Sequence, residues 1–141
     1  MKFFYKKHLF ALLVLSGILT GNALAQKKPV CVKAATVSQP KHILISPEKL
    51  TEFYRNFKDE VIFKESKIVK SELAYYLIAT EQNGQRVFAF ELETKRKKLY
   101  LNSKLPVQAC TEGELTLDTF LQEDGKITGC RIGGHSIRQN Q

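Results

Sequence analysis

The chain predicts an α+β fold: one amphipathic helix packed on an antiparallel β-meander of three to five strands, with a disulfide-linked C-terminal segment. Three observations carry this. Asn83-Gly84 separates two runs of alternating character, the strongest short-range signal for a two-residue hairpin turn. Leu50, Phe53, Tyr54 and Phe57 recur at i, i+3, i+4 and i+7, the apolar stripe of an amphipathic helix. Three cysteines, Cys31, Cys110 and Cys130, follow an N-terminal stretch that reads as an export signal.

That stretch comes first. Lys2, Lys6 and Lys7 form a basic lead, Leu9 to Leu19 is apolar apart from Ser16 and Gly17, and Ala23-Leu24-Ala25 fits the small-x-small cleavage pattern. The apolar run falls short of the roughly 20 residues a spanning helix needs. Residues 1–25 therefore read as a signal peptide and 26–141 as a single small domain, periplasmic or extracellular, with no membrane span after cleavage. The leader holds three lysines and no acid, so the net charge of +8 falls to +5 (8 − 3). A charge of that size permits an anionic partner without demanding one.

Val30-Cys31-Val32 reads as a short strand at an edge, while Ala34, Ala35 and Thr36 carry no clear period. Ser46-Pro47-Glu48 is a helix start: Ser46 caps the free amides, Pro47 suits the first helical position, and Glu48 meets the positive end of the dipole. Glu52, Arg55, Asn56 and Asp59 make the opposite, solvated side. Val61-Ile62-Phe63 and Ile68-Val69 are either a strand leading into the sheet or a last helical turn followed by one. The strand that holds Tyr75 is expected to begin between Lys67 and Glu72.

With the turn at Asn83-Gly84, Gln82 pairs with Gln85, and Glu81 falls opposite Arg86 as a cross-strand ion pair. Leu73, Tyr75, Leu77 and Ala79 then share one face with Phe88, Phe90 and Leu92, the face the helix covers. A third strand after the tip Thr94-Lys95-Arg96-Lys97 is expected to set Leu99 opposite Leu92 and Leu101 opposite Phe90. Pro106 breaks the pattern. Leu115 to Gln122 reads as a strand or a short helical turn near Asp118, Asp124-Gly125 as a second hairpin turn, and residues 136–141 as a frayed tail.

The turn at Asp124-Gly125 makes Cys110–Cys130 the first-choice disulfide, worth about 3 kcal/mol for a loop of that length. Cys31 pairing with either of the others stays open, and one thiol is left over in every case.

Tyr76, Ile78, Val87, Ala89 and Tyr100 look away from the helix, with Glu91 among them. That face is too apolar to lie bare in a small monomer. The economical reading is that the Cys110 to Cys130 segment or the N-terminal run covers it. Left bare, it is a partner surface anchored by Tyr76, Ile78 and Tyr100.

Lys95, Arg96, Lys97 and Lys98 form the densest charge cluster after the leader. They suit phosphates of nucleic acid or of envelope lipids. Charged hairpin tips are also ordinary solvated turns, and that plainer reading outweighs the other on sequence alone.

Catalytic signals are absent from the sequence. A cysteine nucleophile needs a thiolate and a base, and export favours bridged cysteines over reactive ones. A Cys₃His zinc site lacks the paired C-x-x-C spacing, and Asp118, Glu123 and Asp124 lack that of a calcium loop. No catalytic residue, metal or cofactor is expected.

The expected function is therefore a small exported, disulfide-stabilised binding or structural module without catalysis. Its partner is unknown, an envelope or extracellular protein being the kind its address would let it meet. Two alternatives stand beside it. One is an anion-binding surface protein using Lys95 to Lys98, with nucleic acid the less expected ligand. The other is a cysteine-dependent redox or hydrolytic enzyme.

Overall fold

A computed structural model describes residues 28–57, 59–133 and 135–137, and the side chains of all but the last three. The signal peptide read over 1–25 and the end of the tail, 138–141, lie outside the described residues.

Strand β1 (Cys31–Thr36) leads to helix α1 (Pro47–Tyr54), then to β2 (Phe63–Lys70), β3 (Tyr75–Glu81), β4 (Val87–Lys95), β5 (Lys98–Asn102) and β6 (Val107–Cys110). A hairpin of β7 (Phe120–Glu123) and β8 (Lys126–Cys130) follows, then β9 (His135–Ile137). The fold is α+β; among the described residues all strand pairings are antiparallel and there is one short α-helix. The main sheet is larger than the three to five strands expected. It has seven, in the order β1-β5-β4-β3-β2, with β6 on β4 and the three-residue β9 on β6.

The helix forms where its signals fall. Ser46 Oγ accepts the Lys49 N–H at 3.3 Å, Pro47 opens the helix, and Leu50, Phe53 and Tyr54 are buried. They meet Phe63, Leu77, Ala79, Phe88, Phe90 and Leu92 in the larger core. Tyr54 packs edge-on to Phe63, Phe88 and Phe90 at centroid distances of 5.6, 5.3 and 6.0 Å. Each large side chain buried here stabilises the fold by about 1.5–3 kcal/mol.

The β3–β4 register is the expected one, with Tyr75 opposite Leu92, Leu77 opposite Phe90 and Ala79 opposite Phe88. The turn that sets it differs. Residues Gln82 to Gln85 form a four-residue loop outside the ladder, and only Gly84 has positive φ, at 72°. Gly84 N–H closes the turn on the Glu81 carbonyl at 2.8 Å, and Asn83 Oδ1 accepts the Gln85 N–H at 3.0 Å. Gln82 N–H is drawn away to Ile62 O at 2.7 Å, so Gln82 does not pair with Gln85. Behind the loop, Arg86 Nε and Nη2 hold both Glu81 carboxylate oxygens at 2.8 and 2.9 Å, and Nη1 reaches Asp59 at 3.3 Å.

Three further expectations are corrected. The strand that holds Tyr75 starts at Tyr75, because β2 is a strand of its own and Ser71 folds the chain back. Ser71 Oγ bonds the Ala74 N–H and carbonyl at 3.2 and 3.1 Å, an ordered turn that throws Leu73 out to 70% exposure. The β4–β5 register is shifted by two: Leu101 lies opposite Leu92 and Leu99 opposite Thr94, because the tip is a two-residue turn. An even shift keeps Leu99 and Leu101 in the core. Residues 136 and 137, expected in the frayed tail, belong to β9, which satisfies the open edge of β6.

β4 is flanked along one edge by β3 and along the other by β6, against Val87 to Phe90, and then β5, against Leu92 to Lys95. Between β5 and β6 the chain loops out at Ser103 to Pro106 opposite Glu91. Ser103, 3% exposed, is tied to the start of β1: its N–H meets Val30 O at 2.9 Å and its Oγ accepts the Val30 N–H at 2.8 Å. In β1 a bulge between Lys33 and Ala35 buries both Ala34 and Ala35, which is why that run shows no period of two.

Candidate functional site: the open basic end of the sheet

The second face of the sheet is divided. Over β3, β4 and β6 the β7–β8 hairpin and the segment leading into it cover it, packing Phe120 and Ile127, with Leu115 and Leu117, against Tyr76, Ile78, Val87 and Ala89. The Cys110–Cys130 bridge joins β6 to β8. Lys126 Nζ meets Glu91 at 3.2 Å on the rim. Tyr76 and Ile78 are 2% and 0% exposed, so neither lies on an open surface. The chain fills this face itself.

The remainder of that face, over β1, β5 and the end of β4, carries no covering element among the described residues. Cross-strand pairing places Lys33 beside Tyr100, Tyr100 beside Glu93, Cys31 beside Asn102, and Lys95 beside Lys98. Tyr100, the third anchor expected of a partner surface, is half-buried here, apart from Tyr76 and Ile78. Glu93 Oε2 accepts from Asn102 Nδ2 at 3.1 Å and faces the Cys31 thiol at 3.9 Å. Burial first, and the Glu93 carboxylate second, push the Cys31 thiol above its ordinary value. Cys31 is free and exposed; the other two are bridged to each other.

At the end of this open region stands the tip. Lys95 and Lys98 are direct cross-strand partners, and Arg96 and Lys97 form the turn between them. All four are exposed, and among the described residues none makes an ion pair. Arg96 has φ of 51° and Lys97 of 61°, the left-handed region that a two-residue turn of this hand requires. The other two-residue turn, Asp124-Gly125 with φ of 50° and 76°, fills the same conformation with residues that tolerate it. Arg and Lys do not. Each costs about 1–2 kcal/mol there, and like charges set directly opposite add to the cost.

β4 runs three residues past its last pairing with β3, so Glu93-Thr94-Lys95 is open on that side. On the other side the tip is braced by Val37, whose N–H meets Lys97 O at 3.0 Å. From there Ser38, Gln39, Pro40, Lys41 and His42 line a shallow open depression of about 560 Å³.

The basic cluster was legible in the sequence; its conformation and its flank were not. Lys33 was missed, although its alternation with Cys31 on one side of Val32 marks it as facing out with that residue. Among the described residues no group of three or more His, Cys, Asp or Glu side chains is placed to hold a metal ion. No helix among them is long and apolar enough to cross a membrane. Comparison with protein-family models, curated proteins and solved structures finds no match to this chain.

Proposed function

We propose that this chain is a small exported, disulfide-stabilised binding module, without catalysis, that engages an anionic ligand through the tip Lys95-Arg96-Lys97-Lys98. The observation that carries the reading is the pairing of cost with exposure. The fold accepts two long basic side chains in a conformation suited to Asn or Gly, and sets two lysines face to face. Among the described residues no acid forms an ion pair with any of them. Strain held at a surface turn by residues the fold does not need is a mark of use. Sequence alone favoured an ordinary solvated turn; the left-handed backbone at Arg96 and Lys97 tips the balance the other way.

The test is retention on a heparin matrix. The purified chain is expected to bind and to elute with salt, as phosphate and sulfate contacts require. Replacing Lys95, Arg96, Lys97 and Lys98 by Gln should abolish retention. A charge-matched control, Lys49, Lys64, Lys67 and Lys104 to Gln, should keep most of it. Equal loss in both variants would reduce the effect to net charge and overturn the reading.

A further inference from the structure

We infer that the ligand met by the basic end is the headgroup layer of an anionic phospholipid surface, approached end-on by the β4–β5 tip. This rests on the binding reading above and names the ligand of that same site.

The shape of the charge decides it. The four cations sit on an exposed turn, and the open depression that follows Val37 is lined by Ser38 to His42 and by none of them. Behind the tip the face turns acidic. Glu93 stands two residues back from Lys95 on the same side of β4, and Glu91 two further. A linear polyanion draped along the face would meet those carboxylates after one or two contacts. A planar anionic layer meets only the outermost residues.

Aromatic placement points the same way. Binding of single-stranded nucleic acid uses aromatic faces open for stacking. Tyr100, the one aromatic side chain on this open face among the described residues, is half-buried in register between Lys33 and Glu93. Contact at a headgroup layer needs no stacking, only basic groups within a Debye length of the surface.

The experiment is co-sedimentation of the whole purified chain with two kinds of vesicle, phosphatidylcholine alone and phosphatidylcholine with about one part in three phosphatidylglycerol. Heparin and a single-stranded oligonucleotide run in parallel. Of the two kinds of vesicle, binding is expected only to the anionic one, and should fade as salt rises from about 0.1 M to about 1 M, where the screening length falls from ~10 Å to ~3 Å. Each tip residue changed to Gln should lower partitioning about fivefold, the ratio corresponding to about 1 kcal/mol per basic residue.

A second variant, Arg96→Asn with Lys97→Gly, keeps the turn in residues that favour it. It should lose about 25-fold in partitioning while folding at least as well as the parent. Retention on heparin without vesicle binding would overturn the lipid assignment and leave the binding reading standing. Preference for the oligonucleotide over anionic vesicles would do the same. Binding to neither heparin nor vesicles would remove both. Vesicle binding undiminished in the tip variants would show that the tip is not the contact.

Discussion

The phenol oxygen of Tyr76 accepts the backbone N–H of Ile127 at 2.9 Å, across 51 residues of chain. This bond pins the β7–β8 hairpin to the face it covers. Tyr76→Phe keeps the ring and removes the acceptor, leaving a part-buried N–H without a partner. The expected cost is about 1–3 kcal/mol, read as a lower denaturant midpoint at unchanged slope. An unchanged midpoint would show that the hairpin is held by its other ties, the packing, the disulfide and the remaining polar contacts, without this bond.

Tyr54 presents the opposite case. Its hydroxyl is buried in the aromatic cluster with no hydrogen-bond partner among the described residues. Tyr54→Phe removes an unsatisfied polar group and should stabilise the fold by about 1 kcal/mol. Destabilisation of the Phe variant would mean that the hydroxyl is satisfied in solution.

Both phenols also set an alkaline limit. Burial pushes Tyr54 and Tyr76 above the ordinary tyrosine value of 10.0. A raised folded value means the native state holds the proton longer than the unfolded one. Their contribution is complete below pH ~10 and is lost as pH rises from there through the folded values. Stability measured between about pH 9 and about pH 12 should fall, and the double variant Tyr54→Phe, Tyr76→Phe should flatten that fall. Glu81, held low first by its hydrogen bond to Arg86, acts at the other end: its contribution is lost as pH drops through its depressed value.

Much of the fold was legible where two signals agreed. Ser46-Pro47-Glu48 and the stripe from Leu50 to Phe57 gave the helix, and the alternation on each side of Asn83-Gly84 gave the β3–β4 register. It held although the turn did not take the expected form, because Phe88 and Phe90 admit only one face toward α1. The failures fall where local chemistry was ambiguous. Lys64-Glu65-Ser66-Lys67 left strand β2 as only one of two readings, since an edge strand exposes charge on both sides. The bulge at Ala34 and Ala35 erased the period of β1. The β4–β5 turn was misplaced because Arg96-Lys97 carries no turn signature at all. That same absence is what makes the candidate site visible once the backbone is known.

The tip should be a stability liability. Replacing Arg96 by Asn and Lys97 by Gly relieves two left-handed side-chain positions and part of the local repulsion. The expected gain is about 1–3 kcal/mol, seen as a rise of several degrees in the midpoint of thermal unfolding. A lower midpoint would mean that Arg96 or Lys97 makes a stabilising contact, and that the tip is not held under strain for a function.

Cys31 should react slowly for an exposed thiol. Partial burial and the Glu93 carboxylate both disfavour the thiolate, which is the reactive form. Alkylation at pH 8 is expected to run more slowly than for free cysteine. Glu93→Gln should speed it and Lys95→Gln should slow it, since the Lys95 ammonium works the other way. Rates indifferent to both changes would place the thiol outside the reach of either charge.

The disulfide fastens the hairpin that keeps the second face dry. β7 and β8 pair only with each other, so no strand ladder ties them to the main sheet. They are tied instead by the bridge, the Tyr76–Ile127 bond, the contacts of Ser71 Oγ and the Leu73 N–H with Gly125 O, the Lys126–Glu91 ion pair, and the packing of Phe120 and Ile127. Cys110→Ala with Cys130→Ala should cost about 3 kcal/mol. The loss should also be uneven. Amides of β7 and β8 should exchange with solvent faster by a larger factor than those of β3 and β4, which the helix holds from the other side. A dye for exposed apolar surface should bind the variant as Tyr76, Ile78, Val87 and Ala89 become reachable. Uniform loss of protection across both sheets would instead mean that the hairpin and the helix-covered core unfold as one unit.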